Sequence, residues 1–326
     1  MHLLNRTLGI LFGLALAGFS CASFADPAYP AKPIRLVVPF TSGGGTDTMA
    51  RVVANKLAES LKGTIVIDNR PGAGGNIGID NAAKSAPDGY TIVMATTGNL
   101  AINPALYAKM PFNPLKDLTP ISTVALSPLV FVAPANSPFK SIADVVAAAK
   151  ARPGEISFGS PGNGSLAHLT GELFQQAAGI KMQHIPYKGA AQAITDVMGG
   201  QIHLYLSTVP PAIAQIKGGK LRAIAVTSGK RAEDMPNVPT IAEGGYKGFD
   251  ASTWYGLLAP AGTPALIIER LNAEVNRVLK MPEVQEKIRA EGGQVMGGTS
   301  AEFSALLKND ILKWGQVVKD SGVKND

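Results

Sequence analysis

The chain has 326 residues, 46% hydrophobic and 17% charged, which excludes a disordered polymer and leaves room for about two domains of roughly 100–200 residues each. Its 30 Lys and Arg against 24 Asp and Glu give a formal charge of +6, and these cations are scattered rather than gathered on one element, which argues against a nucleic-acid binder. Thirty-six glycines and 23 prolines demand many turns, as alternating strands and helices do.

Arg6 precedes an apolar stretch at 8–18, and Ser23-Phe24-Ala25 supplies the small residues of a signal-peptidase site. Residues 1–25 therefore read as a cleavable export signal, which places the mature protein in the periplasm. The competing reading is lipid attachment at Cys21, against which the bulky Phe19 stands. Cleavage after Ala25 removes the only cysteine, so no disulfide, thiol nucleophile or Cys-ligated metal is expected. No later apolar run approaches the ~18 residues of a membrane span.

A Pro- and Ala-rich lead-in (26–32) reaches an apolar strand, IRLVVP (34–39), which empties into PFTSGGGTD (39–47). Met49, Val52, Val53, Leu57 and Leu61 then recur at helical spacing. Strand, glycine-rich turn and helix in that order aim backbone N–H groups at the space above a sheet. The spacing predicts the same unit again: strand TIVI (64–67) into NRPGAGGNIG (69–78) and a helix to about residue 83, then strand TIVMA (91–95) into the polar loop Thr96-Thr97-Gly98-Asn99. At 119–134 the pattern changes to a long apolar β stretch without a helix, read as a first crossing into a second domain. Helix 141–151, strand 155–158, loop 159–164, helix 165–178, strand 181–185, loop 186–189, helix 190–198, strand 201–206 and loop 207–211 follow, then a helix to about 217 and strand 221–226. STWYGLLA (252–259) is the return crossing. Helices at 264–279, 282–290 and 301–320 are expected to cover the first domain, the last with Phe303, Leu306, Leu307, Ile311 and Trp314 on one face. The fold class is α/β: parallel-rich sheets flanked by helices in two domains, 26–124 plus 254–326 and 125–253, with two crossing strands as hinge. The loops at the carboxyl ends of both sheets then face one another across a cleft, where ligands of such sheets sit.

In the first loop the hydroxyls of Thr41 and Ser42 are donors, Gly43–Gly45 admit a close approach, and Asp47 with Thr46 is placed to cap the helix. The same loop without a ligand is simply a tight turn. It is neither a P-loop, lacking Gly-Lys-Ser/Thr, nor a useful dinucleotide fingerprint. Arg70 beside Pro-Gly reads first as a salt bridge strapping its loop, whereas Asn76 at a helix start is expected to face the cleft. His184 and His203 fall in predicted strands as core or edge residues; His168, in the first turn of a helix, either meets a ligand or braces its loop. Ser160 and Ser165 fail the G-x-S-x-G pattern because Phe158 and Asn163 stand where glycine is needed. With no HExxH and no paired carboxylates near these loops, no catalytic residue, metal or cofactor is expected.

PFTSGGGTD, NRPGAGGNIG, PDGYT (87–91), YKG (187–189), PNVPTIAEGG (236–245) and WYGLLAPAGTP (254–264) together resemble the Bug family, the extracytoplasmic receptors of tripartite tricarboxylate transporters, over the whole mature chain and in order. The resemblance implies a monomeric two-domain periplasmic binding clamshell of type II-like form. It implies a small carboxylate, a dicarboxylate or an aromatic acid, held by backbone amides, hydroxyls and waters, and integral membrane transporter subunits as partners. A receptor that presents its ligand to a signalling sensor is the alternative, and a periplasmic enzyme on the same fold a more remote one. Carried to this sequence, the family's contacts fall on Phe40, Thr41, Ser42 and Gly43; on Asn76, Thr97 and Asn99; and, in the second domain, on Ser160, Asn163, Ala167, His168, Gly189, Ala190, Ser207 and Thr208. Many relatives carry an Asp where this chain reads Leu206-Ser207-Thr208; its absence points to an acid without an ammonium group.

Overall fold

In the computed structural model, which describes residues 29–187 and 189–324, the first apolar runs become β1 (Ile34–Val38), β2 (Ile65–Asn69) and β3 (Thr91–Thr96), parallel and ordered β2-β1-β3. The expected export signal and Cys21 lie outside the described residues. β1 and β3 are almost wholly buried, as their unbroken apolar sequences require of parallel strands covered on both faces. Helices α1 (Gly45–Leu61) and α2 (Asn76–Ala83) follow β1 and β2. After β3 there is no polar loop: the chain winds directly into a π turn, Gly98–Ile102, that continues as α3 (Asn103–Leu106).

β4 (Leu118–Pro134) runs antiparallel to β9 (Ser252–Pro260) from Leu118↔Pro260 to Pro128↔Ser252. Its second part pairs antiparallel with β7 (Leu204–Thr208) and β8 (Leu221–Val226). One long strand thus serves both halves of the sheet. In the second half β5 (Ser157–Ser160) lies between β7 and β6 (Gln183–Pro186), parallel to both. The α/β architecture is the one expected, with parallel pairing in the outer parts and an antiparallel middle where the crossing strands meet. β5, β6 and β7 each begin two or three residues later than their apolar runs, where the ladder between them starts (Ser157↔Gln183, Phe158↔Leu204). Ser160, Ser207 and Thr208 are consequently strand ends rather than loop residues.

The remaining helices are α4 (Ile142–Ala151), α5 (Leu166–Ala178), α6 (Ala190–Met198), α7 (Val209–Lys217), α8 (Ala265–Leu279), α9 (Pro282–Ala290) and α10 (Ser300–Ser321); between α9 and α10 a two-residue strand β10 (Gln294–Val295), which the sequence did not predict, pairs with β4. On one face of the sheet a single apolar core runs through both halves, from Val37 and Val93 through Trp254 and Phe131 to Phe158 and Phe174. The opposite face carries two separate cores: one beneath α1, α8 and α9 (Leu57, Leu271, Ile288), the other beneath α6 and α7 (Val197, Ala212, Tyr205). As expected, α8 and α9 cover the first half, but α10 also packs against α5 of the second half. Among the described residues no helix is long and apolar enough to cross a membrane.

Candidate ligand-binding cleft

The loop after β1 is held from inside its helix. Asp47 is the third residue of α1, not its cap; the cap is Gly44, with no side-chain bond. From there the buried carboxylate accepts from Gly43 N (2.9 Å), Arg51 Nε (2.8 Å) and Asn69 Nδ2 (2.9 Å). Burial works to raise its pKa, but the bonds from Arg51, the Gly43 N–H and Asn69 outweigh it and hold the carboxyl well below the usual carboxylate range. Asn69 also donates to the Phe40 carbonyl at 3.0 Å. Thr41, Ser42 and Gly43 stay exposed, yet Gly43 N is taken by Asp47. The donors left for an anion are the first-turn amides of α1 at Gly45 and Thr46, which have no carbonyl to reach within the helix.

At the next two loops the side chains brace more than they project. Asn76 is buried, accepting from Asn103 Nδ2 at 2.8 Å. Arg70 pairs with Asp68 at 2.8 Å, the strap its Pro-Gly setting implied. The Thr97 hydroxyl accepts from Trp254 N (2.9 Å) and donates to Ser252 O (3.3 Å), pinning the end of β3 to β9. Asn99 differs. Its Oδ1 accepts from Thr96 N at 2.9 Å, while Nδ2 is buried without a partner among the described residues. That amide lies 3.1 Å from where a Cβ on Gly75 would stand, with Pro39 alongside. Gly75 has φ +95°, so both its conformation and the space beside it require glycine. An unpaired donor thus sits where the loops after β1, β2 and β3 meet.

In the second half Ser160 Oγ lies 2.7 Å from His184 Nε2 and 3.0 Å from Gly162 O. Ser165 caps α5, accepting from His168 N at 3.2 Å and donating to Gly162 O at 2.7 Å. His168 accepts the Gly164 N–H at Nδ1 (3.1 Å), so it braces the loop, and its ring stacks on His184 with centroids 3.6 Å apart. Burial first, then the neighbouring His168, push the His184 pKa down to about 4. This Ser–His contact is one the sequence did not reveal, because the two residues come from separate strands. No carboxylate bonds His184 among the described residues, and Ser160 is fully buried. His203 lies just before β7 rather than in a strand, exposed and bonded through Nδ1 to Ser157 N at 3.1 Å. Asn163 is exposed and Ala167 buried; Gly189, at φ +155°, precedes Ala190 at the start of α6, with open space around it. Ser207 is buried, its hydroxyl donating to Thr208 O at 2.7 Å, whereas exposed Thr208 precedes α7 with no capping bond of its own.

Two contacts join the halves around these loops. A Cβ on Gly164 would come within 2.9 Å of Leu106 Cδ1, so the loop after β5 lies against α3. On the opposite face, in the seam between the two separate cores, a cavity of about 310 Å³ is lined by Gly45, Thr46, Ser127, Thr208, Tyr255 and Glu291, with Pro210 and Pro211 beside them. Of the fifteen expected contacts, Thr208 alone lines it. Ser127 and Tyr255 come from the crossing strands β4 and β9 and were missed. Tyr255 was within reach of the sequence, since strand alternation sets it opposite buried Trp254. Glu291 had no local signal; the turn from α9 to β10 carries it there. Burial first, and Glu291 nearby, push the Tyr255 pKa up to about 12, so the phenol keeps its proton.

Comparison with known proteins identifies the family. Residues 49–323 match the tripartite tricarboxylate transporter family receptor. The chain is 41% identical over 325 residues to protein BugT of Bordetella pertussis, covering 99% of each. Among solved structures it is similar to Rpa4515 of R. palustris with adipate (36% identity, TM-score 0.77, 91% of this chain and 99% of that one). It is also similar to MatC of Rhodopseudomonas palustris with bound malate (29%, 0.73, 89% and 100%). This chain therefore belongs to the Bug-type periplasmic solute-binding receptors of the tripartite tricarboxylate transporter family.

Proposed function

We propose that this protein is a monomeric periplasmic receptor that closes its two halves, 26–124 plus 254–326 and 125–253, around one small carboxylate and delivers it to membrane subunits of a tripartite transporter. The observation that carries the reading is the cavity of about 310 Å³ shared by the first turn of α1 and Thr208, a volume in the range of small-molecule sites. Of the fifteen residues named from the family resemblance, Thr208 lines this cavity, and Asn99, with its buried Nδ2 unpaired among the described residues, is the donor most in need of a partner. Adipate and malate in two structural relatives support a carboxylate as the ligand class. Each hydrogen bond to a charged group contributes about 1.5–3 kcal/mol and a helix N-terminus about 0.3–1. Four or five such contacts, less the costs of ordering and closure, reach roughly the −8 kcal/mol of a micromolar complex.

Binding without turnover is the reading that the Ser160–His184 pair favours. A fully buried hydroxyl also bound to Gly162, beside an imidazole that no carboxylate orients, is a brace and not an activated nucleophile. Calorimetric titration of the mature protein with hexanoate, adipate, malate and benzoate is expected to give at least one micromolar complex and no product. A protein that binds none of them while remaining folded overturns the proposal.

A further inference from the structure

The inter-half cavity is asymmetric in charge. At one side stand the first-turn amides of α1, the only α-helix end there with unblocked N–H groups beyond its first residue, because α7 begins Val209-Pro210-Pro211 and its prolines have none. At the other side stands Glu291, whose carboxylate has no ion pair and no hydrogen bond among the described residues; the Arg289 beside it in sequence is taken by Glu233 at 2.7 Å. Arg51, one turn along α1 from the first loop, is likewise held by Asp47 at 2.8 Å. Tyr255 keeps its phenolic proton and cannot neutralise Glu291. The turn carrying Glu291 is fixed in place: Ser127 Oγ donates to Gly292 O at 3.1 Å, and a Cβ on Gly292 would come within 2.9 Å of Pro210 Cδ. A half-buried, unpaired carboxylate on a fixed turn, lining a cavity of mixed polar and apolar walls, repels a like charge and accepts from a donor.

Building on the receptor reading above, we propose that Glu291 is a specificity-determining residue. With a ligand's carboxylate on the first turn of α1, Glu291 meets the other end of the molecule. It selects a hydrogen-bond donor there, a hydroxyl or an ammonium, and rejects a second carboxylate. The acceptor comes from the α9–β10 turn, so the ligand class is acids with a donating tail.

Matched acids of equal length test this by calorimetry on the mature protein: adipate, 6-hydroxyhexanoate and 6-aminohexanoate, with succinate, 4-hydroxybutyrate and 4-aminobutyrate as the shorter set. The donor-tailed acids of at least one set are expected to bind at least tenfold tighter than the dicarboxylate, about 1.4 kcal/mol. Glu291→Gln is expected to shrink that ratio to about threefold or less, and Glu291→Lys to invert it in favour of the dicarboxylate. Equal or tighter binding of the dicarboxylates by the wild type, or a ratio untouched in both variants, overturns the role of Glu291 and leaves the receptor reading standing. If none of the six acids binds and the wider carboxylate screen also fails, both fall.

Discussion

Replacing Asn99 with Asp keeps the oxygen that accepts from Thr96 N and exchanges the unpartnered Nδ2 for a second oxygen. If that amide is a carboxylate donor, Asn99→Asp turns attraction into repulsion, and affinity for hexanoate or 6-hydroxyhexanoate is expected to fall about tenfold or more by calorimetry. Thr97 is expected to behave differently. Thr97→Val removes the hydroxyl from Trp254 N and Ser252 O; leaving a buried donor unmet costs about 1–3 kcal/mol, read as a lower Tm of the ligand-free protein. The sequence placed both residues at the end of a strand, but their partners distinguish them, and those of Thr97 lie 155 and 157 residues away. His184 gives a pH dependence of defined sign. Its folded pKa of about 4 lies below the ordinary 6.5, so between these values the unfolded chain binds more protons. The stabilisation from holding His184 neutral is full above about pH 6.5 and is lost as pH falls towards 4. Thermal melts from pH 7 to 4 are expected to show this loss, and His184→Gln to flatten it.

The strands and helices were legible because their apolar spacing is local. β1 and β3 read as nearly unbroken apolar runs, and each long helix as a three- and four-residue repeat. Ser141, Ser165 and Thr299 cap their helices, their oxygens accepting the N–H of the third helical residue; the first two stand where the sequence set helix starts, the third two residues before the expected start at 301. What the sequence hid depends on pairing: the two-residue β10 exists only against β4, and the π turn after β3 forms where Thr97 is tied to β9. Gly256 shows how tightly the crossing strand is fitted to the last helix. A Cβ there would come 2.2 Å from Phe303 Cζ, in a ring that is 1% exposed and lies edge-on to Trp254. Gly256→Ala is expected to cost about 1–3 kcal/mol of stability through overpacking. Adding Phe303→Leu is expected to recover part of that loss in denaturant melts, and a neutral Gly256→Ala would show that α10 does not press on β9.

At the scale of the molecule, the sequence leads one to expect two units and two crossings but does not say how firmly they are joined. It assigned the last helix to the first half alone, since one amphipathic face cannot say what it meets. In the structure α10 touches α5, β4 lends residues to both halves, and one face of the sheet carries a core that continues from Val93 to Phe158. Unfolding either half exposes apolar surface in that shared core, which couples the two. Only the opposite face is divided, and the cavity lies in that division. The proposed closure would narrow this seam while the continuous face stays packed, as hinged binding proteins do about a few residues. Scanning calorimetry is accordingly expected to show one cooperative transition, its calorimetric and van't Hoff enthalpies equal. A carboxylate at about 100 times its Kd should move that whole transition upward, adding about 2.7 kcal/mol. Two transitions, with the ligand shifting one of them, would mean that the shared core does not couple the halves and that each lobe folds on its own.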